Sequence, residues 1–309
     1  MLRDLSHKED ILNAFSGMLA VLNEYMEGDI INGIPAPVFD LAVLWAPAAK
    51  ISRRGCQLRF VNEQGMTDTD FPSWSWAGWT GPVEYRLLEE MLSTEEALPT
   101  PLIPSYIIKV DGSVKTIATR TQRNPAIGGA TGNNPQPVNV NENLPWPVDP
   151  LAANLLRFTA PCVPLSAFTI SWTKEPLSST DHTHISTNQF VYHILDRNGK
   201  RCRPWWYQAG CNHIHPEMNK FRESKLLFAG VSQHIDTYRS RRGPSRVEGE
   251  IRIFDDDVYP AVGKGSGLIN ALMIGEDWYH GFAKRISAAR IHVKVWEEAK
   301  PEMRLIQMI

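Results

Sequence analysis

Residues 71–85 read FPSWSWAGWTGPVEY, and the fold turns on how this stretch is read. Trp74, Trp76 and Trp79 crowd into six residues, punctuated by Pro72, Gly78 and Gly81. Each indole brings a large apolar surface together with an N–H that needs a partner once buried. The two-residue step from Trp74 to Trp76 is a strand period, which predicts both rings on one face. Gly78 and Gly81 allow the backbone to turn or to pass close to another element. The stretch therefore predicts a structural core motif joining two parts of a domain. The alternative is an aromatic platform for a base or sugar, and it lacks the interleaved Lys or Arg that a nucleic acid demands.

Upstream, Ser6 and Glu9 have the spacing of a capping box. Ile11, Phe15, Met18, Leu22 and Met26 then recur at helical intervals, with Leu12 and Leu19 alongside. That pattern predicts an amphipathic helix stopped by Gly28 and Asp29. A shorter helix is expected over 37–45, with Pro37 in its first turn. The two form a helical hairpin whose third layer is the Trp-rich segment. Arg53 and Arg54, between hairpin and motif, read as a surface pair.

Downstream, 86–98 is helix-prone by composition, and YIIKV at 106–110 reads as a strand. Residues 121–150 are rich in Asn, Pro and Gly without periodicity and read as a poorly ordered insert. Short apolar runs follow at 155–159, 168–172, 190–195, 225–231, 268–274 and 290–295, each a candidate strand. Asn198-Gly199 is the clearest turn signal among them. A short helix is expected near 296–299. The expected fold is α+β: an N-terminal helical hairpin with the Trp-rich segment, then a mainly antiparallel β-rich part, a sandwich or open barrel. The divisions are 1–97, 98–150 and 151–309, with the first and last packing together.

Of 309 residues, 43% are hydrophobic and 21% charged, as in globular proteins, and the length suffices for a sizeable core. A net charge of −2 argues against a nucleic-acid partner; the short basic run at 239–246, RSRRGPSR, reads as a solvated loop. No run approaches the ~20 apolar residues of a membrane span, and the N-terminus lacks a signal-peptide core. Four cysteines are too few for a disulfide framework. The reading is a reduced, cytoplasmic protein without membrane contact, with room for a protein partner.

Candidate chemistry is sparse. Cys202, Cys211, His213 and His215 are residue types that zinc accepts, but C-x8-C-x-H-x-H lacks the tight cysteine pair of a structural knuckle. They stand as weak metal candidates, and the alternative function is a metal-binding enzyme or zinc-stabilised module built on them. His182 and His184 beside Asp181 repeat the H-x-H spacing in a polar loop. Asp255, Asp256 and Asp257 lack the alternation of a calcium loop. GKGSG at 263–267 lacks the Lys-Ser/Thr ending of a phosphate loop. No catalytic constellation emerges and no cofactor is called for, so the chain is expected not to be an enzyme.

The stretch PSWSWAGWTGPVEY resembles a core motif of fungal heterokaryon-incompatibility (HET-domain) proteins, in the region after their HET module. Three further segments resemble that region in the same order: SHKEDILNAFSGML at 6–19, GIPAPVFDLAVLW at 33–45 and FAKRISAARIHVKVWEEA at 282–299. The resemblance implies a role in non-self recognition and incompatibility-linked programmed cell death. It also implies that the death-triggering activity belongs to a HET module upstream, whose motifs have no counterpart in these residues. The expectation is a non-catalytic regulatory or interaction region of a HET-like protein lacking that module.

Overall fold

The computed structural model describes residues 10–26, 28–47, 51–54, 71–85, 99–110, 112–119, 154–174, 190–207, 226–234, 258–259, 267–277 and 282–309. From the N-terminus, α1 (Ile11–Ala14) and α2 (Ser16–Met26) lead into β1 (Ile30–Ile31), β2 (Ile34–Pro35) and α3 (Phe39–Ala42). Four two-residue strands frame the Trp motif: β3 (Ala46–Pro47), β4 (Ser52–Arg53), β5 (Trp79–Thr80) and β6 (Val83–Glu84). Then come β7 (Thr100–Pro101), β8 (Ser105–Val110), β9 (Ser113–Ala118), β10 (Leu156–Pro164), β11 (Thr169–Lys174) and β12 (Phe190–Leu195). The chain continues through β13 (Arg201–Tyr207), β14 (Leu226–His234), β15 (Leu268–Asp277), β16 (Phe282–His292), α4 (Val293–Glu298) and β17 (Glu302–Met308).

The large sheet runs β7-β14-β15-β16-β17-β10-β8-β9, mostly antiparallel. It also closes on itself. The end of β10 pairs with β14 (Cys162 with Ala229, Pro164 with Leu227), so β14, β15, β16, β17 and β10 form a five-strand ring. The ring's thinnest seam is the single parallel bridge between Ala283 of β16 and Met308 of β17. Parallel neighbours need a crossover, and α4 supplies it. His292 caps α4 by accepting the Lys294 N–H at its imidazole Nδ1, 3.3 Å away.

β10, β14 and the first part of β15 are buried on both faces, which is why they read as continuous apolar runs rather than as alternation. Leu227, Ala229 and Val231 of β14 join Phe158, Leu272 and Ile306 in one core. That core also contains Ile34, Phe39, Val43 and Trp74, so the N-terminal segments and the sheet share it. Leu226 and Phe228 point the other way, into a second core with Met273, Ile291, Val295 and Trp296. A separate three-stranded sheet, β11-β12-β13, contributes Ile194 to this second core.

Three expectations change. Residues 290–295 are not one strand: β16 ends at His292 and α4 starts at Val293, three residues before the expected helix. β17 lacks an apolar run because Glu302 and Arg304 interrupt it, and its first four residues, Glu302 to Leu305, are all exposed. Between α2 and α3 lies the β1–β2 hairpin, turned by Asn32 (φ 49°) and Gly33 (φ 82°). Positive φ at both central residues is the type I′ signature that an Asn-Gly pair supplies.

Candidate functional site

The Trp motif folds differently from a strand. Ser75 accepts the Ala77 N–H at its Oγ (3.0 Å) and so caps a 3-10 turn over Trp76–Gly78. The turn sends Trp74 and Trp76 to different neighbours. Trp74 is fully buried against Phe39, and its indole donates to the Asn154 carbonyl at 3.2 Å. Trp76 meets Phe15 edge-on, with ring centroids 5.6 Å apart, and donates to the Gly33 carbonyl at 2.9 Å. Trp79 packs against Trp45 and donates to the Ser73 carbonyl at 3.0 Å. Trp45 in turn donates to the Trp74 carbonyl at 3.0 Å. Each of the four indoles thus has a backbone acceptor, the condition under which a buried Trp stabilises. Gly78 accepts the Arg54 N–H at its carbonyl (2.9 Å), and Gly81 adopts a φ of 127° just beyond.

Two arginines lock the motif. Arg54 is not a surface side chain: its Nε donates to the Ala77 carbonyl and its Nη2 to the Trp79 carbonyl, both at 2.9 Å. Burial lowers its pKa. Arg285, on β16, lies fully buried with its guanidinium carbon 3.6 Å over the Trp45 ring. Its Nη2 donates to the Trp45 carbonyl, while its Nε has no hydrogen-bond partner among the described residues. Burial pulls its pKa down to about 9, against the pull of nearby Tyr85. Burial likewise pushes the Tyr85 phenol up to about 12, partly offset by the Arg285 charge. The Arg285 N–H donates to Ser73 Oγ at 3.0 Å, and Ser73 donates through both N–H and hydroxyl to the Ile309 carbonyl.

The other sequence candidates fare unevenly. Cys202 lies on β13, while Cys211, His213 and His215 fall outside the described residues, as do His182, His184 and Asp255 to Asp257. Among the described residues no group of three His, Cys, Asp or Glu is placed to hold a metal. Cys162 is a buried thiol that lies 3.4 Å from the Ala160 carbonyl, to which it donates. Asn198-Gly199 does turn β12 into β13, anchored by Asp196. Burial of that carboxylate is outweighed by hydrogen bonds from Tyr259 Oη (2.5 Å), Lys200 N–H (2.7 Å) and Asn198 N–H (2.8 Å), and its pKa is lowered. Ser232, Asn270 and His234 meet at one end of the ring. There Asn270 Nδ2 donates to Ser232 Oγ at 3.0 Å and lies 3.3 Å from His234 Nδ1. The amide stands where an activating imidazole would have to be, so the trio ties strands together.

A cleft of about 390 Å³ opens between Gly28, Asp29, Ile31 and Ala36 on one side and Lys115, Thr116 and Ile117 on the other. Its polar feature is the exposed Asp29–Lys115 pair at 3.0 Å, of a kind worth little in water. The more unusual surface is α2 itself. Leu19 and Met26, like Leu12 of α1, are half-buried against the body, but Met18, Val21, Leu22 and Tyr25, and Phe15 at the α1–α2 junction, are exposed. The amphipathic stripe expected to be core is, over most of its length, turned to solvent. Exposed apolar patches of this kind mark interaction sites. No helix among the described residues is long and apolar enough to cross a membrane.

Compared with known proteins, the chain matches no family model, no curated protein and no solved structure.

Proposed function

We propose that this chain is a non-catalytic interaction module of the heterokaryon-incompatibility type, working in the cytoplasm through a protein partner. The observation that carries the interaction reading is the apolar face of α2, held out to solvent by a helix whose Phe15 is braced on Trp76. A helix contributing only a half-buried stripe to its own core is a poor use of apolar surface unless something else covers the remainder.

The HET-like part of the proposal is supported by how the resembling segments meet. Phe15, Gly33, Trp45, the Trp motif and Arg285 come from all four of them, and they form one connected set of contacts. Four stretches separated by up to two hundred residues would have reason to persist together if they build one structural unit. Expression in a filamentous fungus tests the function. The chain alone should leave cells viable, and co-expression with a full-length HET-domain protein should change its incompatibility response. Cell death from the chain alone, or an unchanged response, would overturn the proposal.

A further inference from the structure

Resting on the reading that the chain works through a protein partner, we infer that the outer edge of β9 takes an extended peptide of that partner as an added strand. β9 is the last strand of the large sheet, and among the described residues no strand pairs with its outer side. β8 pairs with its inner side, in a register that sets Ser105 opposite Ala118 and Ile107 opposite Thr116. One residue further on, the Thr119 N–H donates to the Pro104 carbonyl at 3.2 Å. In an antiparallel ladder every second position bonds to the neighbour, and the positions between turn both backbone groups away. Counted back from Thr119, Ile117, Lys115 and Ser113 bond to β8, so Val114, Thr116 and Ala118 hold their N–H and C=O groups outward.

Another extended backbone is what satisfies such a row. The usual guard of a bare edge is a lysine side chain. β9 carries one, but it is drawn aside, with Lys115 Nζ 3.0 Å from an Asp29 carboxylate oxygen. Both side chains are exposed, so opening that pair costs little.

The cleft beside β9 gives the strand a seat. Thr116 lines it together with Lys115 and Ile117, and the 28–36 segment forms the opposite wall. A strand residue fills roughly 160 Å³, from its rise, its spacing to the next strand and the depth between layers. The cleft of about 390 Å³ therefore seats about two residues of a single strand. A peptide residue paired with Thr116 has neighbours whose side chains share the face of Lys115 and Ile117. On that face Ile117 packs with Ile31 and Ala36 in the core, so apolar side chains suit it. The other face carries exposed Val114 and Thr116 and suits polar ones. A second copy of β9 is the poorer occupant. Paired about Thr116, it would set its Lys115 opposite Ile117, an ammonium against the apolar side of the cleft.

Selection of a random linear peptide library, displayed on phage, against the full chain supplies the probe. Fluorescence anisotropy of one selected peptide then measures its affinity. The expected peptides alternate apolar and polar residues. Methylating their backbone nitrogens one at a time should weaken binding at least about tenfold at every second position and leave the positions between unchanged, because only alternate N–H groups face β9. Thr116→Pro removes an N–H that β8 does not use, and an edge strand tolerates proline. It should weaken binding at least about tenfold with unchanged melting. If Thr116→Pro does not fold, the methylation series decides alone. A library that yields no peptide with this alternation, or a folded Thr116→Pro chain that binds as wild type does, would overturn the inference. So would a wild-type dimer in sedimentation that Thr116→Pro makes monomeric, which would give the edge to a second copy. A chain that binds no peptide yet still changes the incompatibility response removes the β9 site and leaves the interaction function standing.

Discussion

Arg285 is a guanidinium taken out of water with a carbonyl and an indole for company, and among the described residues no carboxylate meets it within ion-pair distance. The informative perturbation is Arg285→Met, which keeps the packing volume and removes the charge. A pKa lowered from 12.5 to about 9 corresponds to roughly 5 kcal/mol against the charged form. Against this stand the hydrogen bond to the Trp45 carbonyl, about 1.5–3 kcal/mol for a charged donor, and stacking on Trp45, about 2 kcal/mol when desolvated. These nearly cancel. Arg285→Met should therefore lie within about 1.5 kcal/mol of wild type at pH 7, whereas Arg285→Ala, which opens a cavity, should fall a further ~2–5 kcal/mol below Arg285→Met.

Urea denaturation followed by tryptophan fluorescence reads both differences. The pH dependence supplies a second check. A base whose folded pKa is depressed binds fewer protons in the folded state between pH 9 and its unfolded value. Stability from this group therefore rises with pH across that window. Wild type should gain roughly 1 kcal/mol on Arg285→Met between pH 7 and 10. Tyr85, raised to about 12, works the other way only above pH 10, beyond the compared window. A loss of more than about 3 kcal/mol in Arg285→Met, or a difference flat with pH, would refute this account and mean that the charge is answered by an anion.

Gly33→Ala places a β-carbon 2.8 Å from Trp76 Cζ2 at a residue with φ of 82°. It should cost about 1–3 kcal/mol, seen as a lower urea midpoint. Trp76→Ala removes the ring on the other side of that contact and should cost about 3–5 kcal/mol; normal melting would show that the ring is not structural. Asp196, its pKa lowered by hydrogen bonds that outweigh its burial, contributes stability above the usual carboxylate range that is lost as pH falls through its folded pKa. Tyr259→Phe should weaken the protein by about 1.5–3 kcal/mol at pH 7 and flatten its acid titration below pH ~4.

Much of the sheet was legible because strands buried on both faces leave long apolar runs, as at β14 and β15. β17 was hidden by the reverse: its first four side chains, Glu302 to Leu305, face water, and charged Glu302 and Arg304 interrupt the apolar residues there. The Asn32-Gly33 turn carried a readable signal in its dipeptide. The locks on the Trp motif carried none. Arg54, Arg285, Trp74 and Trp76 are all answered by backbone carbonyls, and any residue type supplies a carbonyl, so no spacing of side chains announces the pairing. The stripe on α2 was legible as apolar, yet periodicity reports only that a face is to be covered and is silent on which molecule covers it.

The bond from Ser73 to Ile309 joins residues 236 apart in the chain. On the ribosome, at about 5–20 residues per second, the serine waits roughly 10–50 s for its acceptor. Arg285, 212 residues beyond Ser73, arrives scarcely sooner. Through that interval the tryptophans of the nascent motif are synthesised but not yet enclosed, and the contact that must close on them spans 236 residues. The motif is thus an early sequence and a late structure. Its protection before the last strand is made falls to whatever chaperone meets a chain with exposed indoles.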